Sequence, residues 1–390
     1  QNDTNFQPRV GFAWNVFTNT VLRGGYGFQV DQPVTGLVTG LTSNPPLALP
    51  ISVAANSVAA LPGLFSGVPA SIAPVVVNPD FQNANVQSWN LNVEHQIGRS
   101  LGLMVGYFGS KGTHLEIDTN LNQFTALGVA ASRPLTSISA SSATLPNVTL
   151  ANSITERNSI GTSSYNALWV TANKKVSNGL QFNASYTWSH SIDENSRNEQ
   201  GVVVQDSTNI FSSVGSSDFD ARHRFVVNAI YDLPFKSNRI VGGWSIAPIL
   251  SFQSGNPFNI FSASSAINGV ANTVRPNLTA TPVVKGDPLS NWFVDPTVFV
   301  APTTGFGTVG RNSFVGPGFE DIDLSLIKNT KVTERMNVQF RADVFNFFNH
   351  PNYGQPSGTI GSVGTIINTR FPTGDSGSSR QMQLALKVQF

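Results

Sequence analysis

Gln381-Met382-Gln383-Leu384-Ala385-Leu386-Lys387-Val388-Gln389-Phe390 alternates without a break: Met382, Leu384, Leu386, Val388 and Phe390 are apolar, and the residues between them are polar or small. Side chains of a β-strand point to opposite faces in turn, so this segment has one oily and one wet side. A strand of this kind, ending on an aromatic residue, suits the closing strand of a barrel that faces lipid outside and water inside.

The composition agrees. Charged residues make up 12% of the 390, against about 25% in a typical soluble domain. Hydrophobic content is 40%, so polarity comes from Asn, Ser, Thr, Gln and Gly rather than from charge. A barrel with an uncharged outer band and a wet interior needs that balance, and a secreted β-rich adhesin would also satisfy it. The formal charge of +1 gives no electrostatic case for a nucleic-acid partner. With no cysteine, a disulfide framework and a thiolate metal site are both excluded. No run of about 18 apolar residues is present, which excludes a membrane-spanning helix. No secretory signal precedes the first strand pattern, and the chain begins at Gln1.

Period-two alternation recurs and predicts eleven strands, near 8–17, 20–30, 86–97, 100–117, 163–176, 180–192, 222–232, 241–254, 318–328, 334–348 and 379–390. Connections after the odd-numbered strands are short (Thr18-Asn19, Gly98-Arg99, Ser177 to Gly179, Pro234 to Arg239, Asn329 to Thr333), whereas 31–85, 118–162, 193–221, 255–317 and 349–378 are long. Tight periplasmic turns and long extracellular loops give this rhythm, so the fold class is an all-β antiparallel transmembrane barrel in the outer membrane of a Gram-negative-type bacterium. Single-chain bacterial barrels have even strand numbers, so eleven implies at least one strand upstream of Gln1, unless 255–317 hides another.

Charge placement fits. A Lys or Arg facing lipid at mid-bilayer costs roughly 2–4 kcal/mol, and Arg23, Glu94, Arg224, Arg341, Asp343 and Lys387 all fall on polar faces. His95 is on an apolar face near a short turn. Trp14, Trp89, Trp169, Trp188 and Trp244 lie in strands, mostly toward their ends, where interfacial girdles occur. Pro248 lacks the N–H a ladder requires and predicts a bulge or local distortion.

The segments PRVGFAWNVF…TVLRGGYGFQVD (8–31), RHRFVVNAIYDLPF (222–235), GGWSIAPILSFQSGNPF (242–258) and RADVFNFFNHPNYG (341–354) resemble strands of TonB-dependent outer-membrane receptors, most closely the Oar-like branch. That resemblance implies a twenty-two-stranded barrel enclosing a plug, energised by the TonB–ExbB–ExbD complex through an N-terminal TonB box. Residues 1–390 would then be the C-terminal barrel portion, strands twelve to twenty-two. Plug, TonB box, carboxypeptidase-regulatory-like domain and signal peptide are missing from these residues. It also implies that Leu386, Val388 and Phe390 belong to the signal read by the barrel-assembly machinery.

Candidate chemistry is thin. Gly374-Asp375-Ser376-Gly377 resembles a serine-protease nucleophile motif but reads better as a turn. His190, Asp193 and Glu194 offer metal-ligand types at a strand top, and an ordinary solvated loop is the simpler reading. Asp218, Asp220, Arg222, His223 and Arg224 read as a loop-anchoring ion-pair network rather than a ligand contact. Asn346 to Pro351 reads as an interfacial aromatic anchor rather than a ligand platform. Asn147-Val148-Thr149 and Asn277-Leu278-Thr279 match glycosylation acceptors that a bacterial barrel leaves unmodified. No catalytic residue, metal or cofactor is assigned, and the chain is not read as an enzyme. The expected role is a receptor or transporter segment in contact with outer-membrane lipid, its long loops meeting an extracellular ligand. The alternatives are a non-transporting adhesin or assembly protein and a passive pore.

Overall fold

The computed structural model describes residues 5–32, 40–43, 73–135, 137–138, 148–149, 153–196, 201–235, 238–370 and 379–390. Eleven long strands form the wall: β1 (Arg9–Phe17), β2 (Thr20–Val30), β3 (Asn85–Ile97), β4 (Leu101–Asn120), β5 (Thr155–Ser177), β6 (Leu180–Asp193), β7 (His223–Asp232), β8 (Trp244–Gln253), β9 (Phe319–Lys331), β10 (Asn337–Phe345) and β11 (Gln381–Gln389). Each pairs antiparallel with its neighbours in chain order, so the wall is one meander. It is an open sheet, with β1 and β11 at its two edges. Val75–Val77 adds a short parallel pairing to β5, and Gly215–Ser216 an antiparallel one to β6. The short strands within 255–317 pair with one another and not with the wall, so the alternation of wall directions is unchanged.

Register sorts the side chains into two faces. Phe340 pairs with Leu386 and Val338 with Val388 on one face, while Gln339 pairs with Lys387 and Asp343 with Gln383 on the other. Followed across the ladders, the apolar set contains Val10, Phe12, Trp14, Leu91, Val93, Val105, Leu250 and Leu384, all on one surface. The opposite surface is wet and internally paired: Arg23 Nε is 3.0 Å from Glu94 Oε1, and Arg341 Nε is 2.6 Å from Asp343 Oδ1. Outward charges such as Glu320 and Lys328 sit toward the ends of β9, where a long stem can reach water. Lys328, for example, donates to the Arg239 and Gly242 carbonyls beside the Trp244 ring.

Several expectations need correction. Trp169 is not in an outward girdle: its pairing with Gly106 and Thr187 turns it inward, where it stacks on Phe108 at 5.7 Å. Of the two outcomes expected at Pro248, the structure shows a local distortion and no bulge. Its register to β9 is continuous, and the ladder to β7 merely lapses between Asn228↔Ile249 and Tyr231↔Ile246 without slipping. Register shifts occur elsewhere, among them one at His114, with φ 55°, against β5. Strand ends also differ: β5 begins at Thr155, not 163, because its polar upper part pairs with Ile117 to Asn120 of β4 above the apolar band. β10 runs only from Asn337 to Phe345, because Asn346 at φ 45° turns the chain away.

Asn178 and Gly179 join β5 to β6 with both residues at positive φ, 54° and 77°. Such a two-residue turn matches the strand twist. A Cβ on Gly179 would lie 2.8 Å from the Asp232 carbonyl oxygen. Gly179→Val is expected to cost roughly 2–4 kcal/mol, combining left-handed strain with a backbone clash. Asn178→Gly should change stability by no more than about 0.5 kcal/mol. Urea unfolding of the full-length protein in lipid vesicles measures both.

Candidate functional site

The buried core of this molecule lies above the wall, in the long connections. Phe258, Ile260, Phe293, Val298, Phe299 and Val363 form one cluster, drawn from the segment after β8 and the segment after β10. Phe293 meets Phe299 at 4.9 Å and Phe314 at 5.1 Å, both edge to face, an arrangement that stabilises aromatic pairs beyond their burial. Ile117, Val204 and Ile210 make a second cluster where the loop after β6 packs on the upper end of β4. The described parts of the connections after β6, β8 and β10 therefore form a folded cap with its own hydrophobic interior.

Polar residues tie the cap to the wall. Arg311 donates to Asp193 Oδ1 at 2.7 Å, to the Asp193 carbonyl at 2.9 Å and to Ser196 Oγ at 2.7 Å, and lies 3.4 Å from Asp218 Oδ1. Asn312 donates to Asp218 Oδ1 and to the Ser216 carbonyl, each at 2.7 Å. Asp193 and Glu194 are both 4% exposed, so the solvated loop expected here is instead a buried junction. Glu194 accepts from the Thr162 N–H and hydroxyl at 2.7 Å each, which clamps β5 to the top of β6. His190 stands apart, 3.3 Å from Ser216 Oγ. Among the described residues no three His, Asp or Glu side chains are gathered to hold a metal ion.

Only part of the network expected at Asp218 to Arg224 forms, and Asp218 takes a partner that sequence proximity could not reveal. Arg222 pairs with Asp220 at 3.3 Å, and Asp220 also accepts the Ser191 N–H. Asp218 looks to Arg311 instead, while His223 and Arg224 are exposed wall residues on opposite faces. A further buried cation, Arg275, donates to the Val309 and Ser212 carbonyls at 2.7 Å each. Burial, with a smaller effect from Arg311, lowers its pKa to about 10. No local motif marks Arg275 or Arg311: each sits alone in a loop and acts on residues more than 30 positions away.

Asn346 folds the turn after β10 by bonding His350 N–H and carbonyl at 2.8 Å each, and it presents Phe347 and Phe348 edge to face at the rim. Asn277 accepts the Thr308 N–H within the cap. Asn147 and the Gly374 to Gly377 motif lie outside the described residues. Met382, Leu384, Leu386 and Val388 form the exposed outward row of β11, and the exposed Phe390 follows its last residue.

A polar inner wall, an apolar outer band and a folded cap are a membrane barrel's division of labour. The family profile described as "Outer membrane beta barrel domain" matches residues 1–383. The chain belongs to that family. The outer membrane beta-barrel domain is accordingly placed in the cell outer membrane. Among solved structures it is similar in fold to the outer membrane transporter YddB from Escherichia coli, with TM-score 0.51 and 11% identity over 98% of this chain and 40% of that one. A mutant of the ferric enterobactin receptor PfeA from Pseudomonas aeruginosa aligns with TM-score 0.49 and 9% identity over 99% and 40% of the two chains. The pyoverdine outer membrane receptor FpvA from Pseudomonas aeruginosa PAO1 aligns with TM-score 0.47 and 9% identity over 98% and 36%. The domain thus spans two-fifths or less of the length of these structures. No curated protein sequence matches it.

Removing the Arg311 guanidinium strands the buried Asp193 carboxylate. Arg311→Ala should destabilise the cap junction by roughly 3–5 kcal/mol. Hydrogen exchange should rise at 193–196 and 215–218 while β9–β11 stay protected. Equal loosening of wall and cap would contradict the separate-cap reading.

Proposed function

We propose that these residues are the C-terminal wall and extracellular recognition cap of a TonB-dependent outer-membrane receptor of the Oar-like type. The observation that carries this reading is the uninterrupted eleven-strand meander, with short turns at one end and a folded cap at the other. Strand direction supports a larger barrel. In an eleven-strand antiparallel series the two edges run the same way, so joining β1 to β11 would need a parallel seam. An odd number of further strands closes the wall antiparallel throughout, and eleven more give twenty-two. Plug and TonB box would be supplied by the longer protein, and TonB–ExbB–ExbD would drive transport through them.

The cap is the part that meets an extracellular ligand too large or too dilute for simple diffusion. Its described core is rigidly packed and its ion pairs are internal, which favours recognition by shape and hydrogen bonding over capture by charge. A carbohydrate, peptide or protein ligand fits that chemistry. Leu386 and Val388, on the outward row of the last strand, and Phe390 just beyond it are proposed as the residues read by the barrel-assembly machinery.

Depletion of medium components by cells with and without the full-length protein, each with and without TonB, tests the reading. A component depleted only when both are present is the expected outcome. A steady open conductance of the full-length protein in planar bilayers would instead establish a passive pore. Surface binding without TonB-dependent depletion would establish an adhesin. Phe390→Ala is expected to lower the amount of folded protein in the outer membrane while leaving its synthesis unchanged.

A further inference from the structure

The short-turn end of the wall, opposite the cap, carries a built feature of a single charge sign. The turn between β7 and β8 is closed on itself. Asn238 accepts the Ile240 and Val241 N–H groups on its side-chain oxygen at 3.0 and 2.9 Å, and its carbonyl accepts the Gly242 N–H at 2.8 Å. Two wall side chains hold the turn in place. Trp244 donates its indole N–H to the Ile240 carbonyl at 3.0 Å, and Lys328 Nζ donates to the Arg239 and Gly242 carbonyls. Lys328 also lies 5.3 Å from the centre of the Trp244 ring, and the register pairs these two residues on the outward face. A turn held this firmly presents Ile240, which is 79% exposed, together with the exposed Phe235 and Arg239.

The charge here is uncompensated. Among the described residues, the ion pairs of the chain include neither Arg239 nor Lys328. An ammonium has three donors, and Lys328 gives two to carbonyls, so one is left. Asp232, at the foot of β7, is paired with Ser245 on the lumen face and accepts its hydroxyl at 2.6 Å. Glu334 lies on the next turn, beside Arg335. Lys331 and Lys387 share this end of the wall but face the lumen. Two outward cations therefore stand among exposed apolar side chains, with no carboxylate to receive a positive group. An ethanolamine-type head would bring its ammonium against them, whereas a phosphate bearing an uncharged glycerol head complements them. A polyanion in water would leave Phe235, Ile240 and Trp244 wet, and a membrane surface covers them while its phosphates meet the cations.

We propose that the β7–β8 turn seats one phospholipid with an anionic, phosphatidylglycerol-type head. Its phosphate meets Arg239 and Lys328, and its glycerol and upper acyl carbons lie against Trp244, Ile240 and Phe235. The inference rests on the reading of the short turns as the periplasmic end, which places this lipid in the inner leaflet. Basic side chains near an anionic membrane surface gain attraction one by one, and an aromatic ring at the same level fixes their depth. The seat would set the depth of this side of the wall in the bilayer, at the end that the cap does not reach.

Native mass spectrometry of the delipidated full-length protein tests this, titrated separately with phosphatidylglycerol and phosphatidylethanolamine. Phosphatidylglycerol should bind about tenfold more tightly. Arg239→Gln, at an exposed side chain, should bring the two lipids to within about threefold of each other. Lys331→Gln removes a cation from the lumen face of the same end and should leave the preference intact. Equal binding of the two lipids by the unaltered protein overturns the proposal. So does a preference that survives Arg239→Gln, or one that Lys331→Gln abolishes as fully. Arg239-dependent retention on purified peptidoglycan without a lipid preference would establish a cell-wall contact instead. The underlying orientation has its own readout: Asn178→Cys, in a full-length protein otherwise free of cysteine, should react with a membrane-impermeant maleimide only after the outer membrane is opened. Labelling of intact cells would overturn the inner-leaflet placement and the reading behind it, whereas equal lipid binding overturns the seat alone. Heat-modifiable migration on gels confirms that each variant is folded.

Discussion

Inside hydrocarbon an unpaired peptide group costs several kcal/mol, and that single constraint organises the wall. Every membrane-crossing segment must give its N–H and C=O groups to neighbours, which is why the strands follow one another as an antiparallel meander. Period-two alternation is a consequence, because a ladder of this kind presents successive side chains to lipid and lumen in turn. Even Pro248 respects it. The wall accepts a lapse in one ladder there and keeps its register on both sides, since a one-residue slip would invert every side chain beyond it.

Above the apolar band the constraint relaxes and different forces take over. Water reaches the chain, so the connections can turn, pack on one another and bury polar groups in pairs. Arg311 with Asp193, Glu194 with Thr162, and Arg275 with backbone carbonyls are junctions of this kind. The Phe293 cluster supplies the apolar interior that the wall, with lipid on one side and water on the other, does not have. The two parts therefore rest on different physics: backbone pairing holds the wall, and side-chain packing holds the cap.

The boundary between these regimes is where the sequence-based expectations were least accurate. β5 outruns its expected start because its upper residues pair while carrying polar groups on both faces, and alternation then ceases to signal a strand. Asp193 and Glu194 read as solvated because charge in a loop usually is, whereas Arg311, 118 positions away, brings Asp193 indoors. Trp169 read as a girdle residue because its identity fits one, but pairing parity turned it onto Phe108. Leu386 and Val388 share the outward face of β11, a placement that alternation alone sets.

By itself the sequence determined what period-two alternation and loop length encode: eleven wall strands, their order, which face of each is oily, and the outer-membrane setting. These are local properties, because each residue's face follows from its parity within a strand. Tertiary structure alone decided the cap, the burial of Asp193 and Glu194, and the partners of Arg275 and Arg311. Those depend on contacts between loops tens of residues apart, and no periodicity in a single segment records which distant segment it will meet.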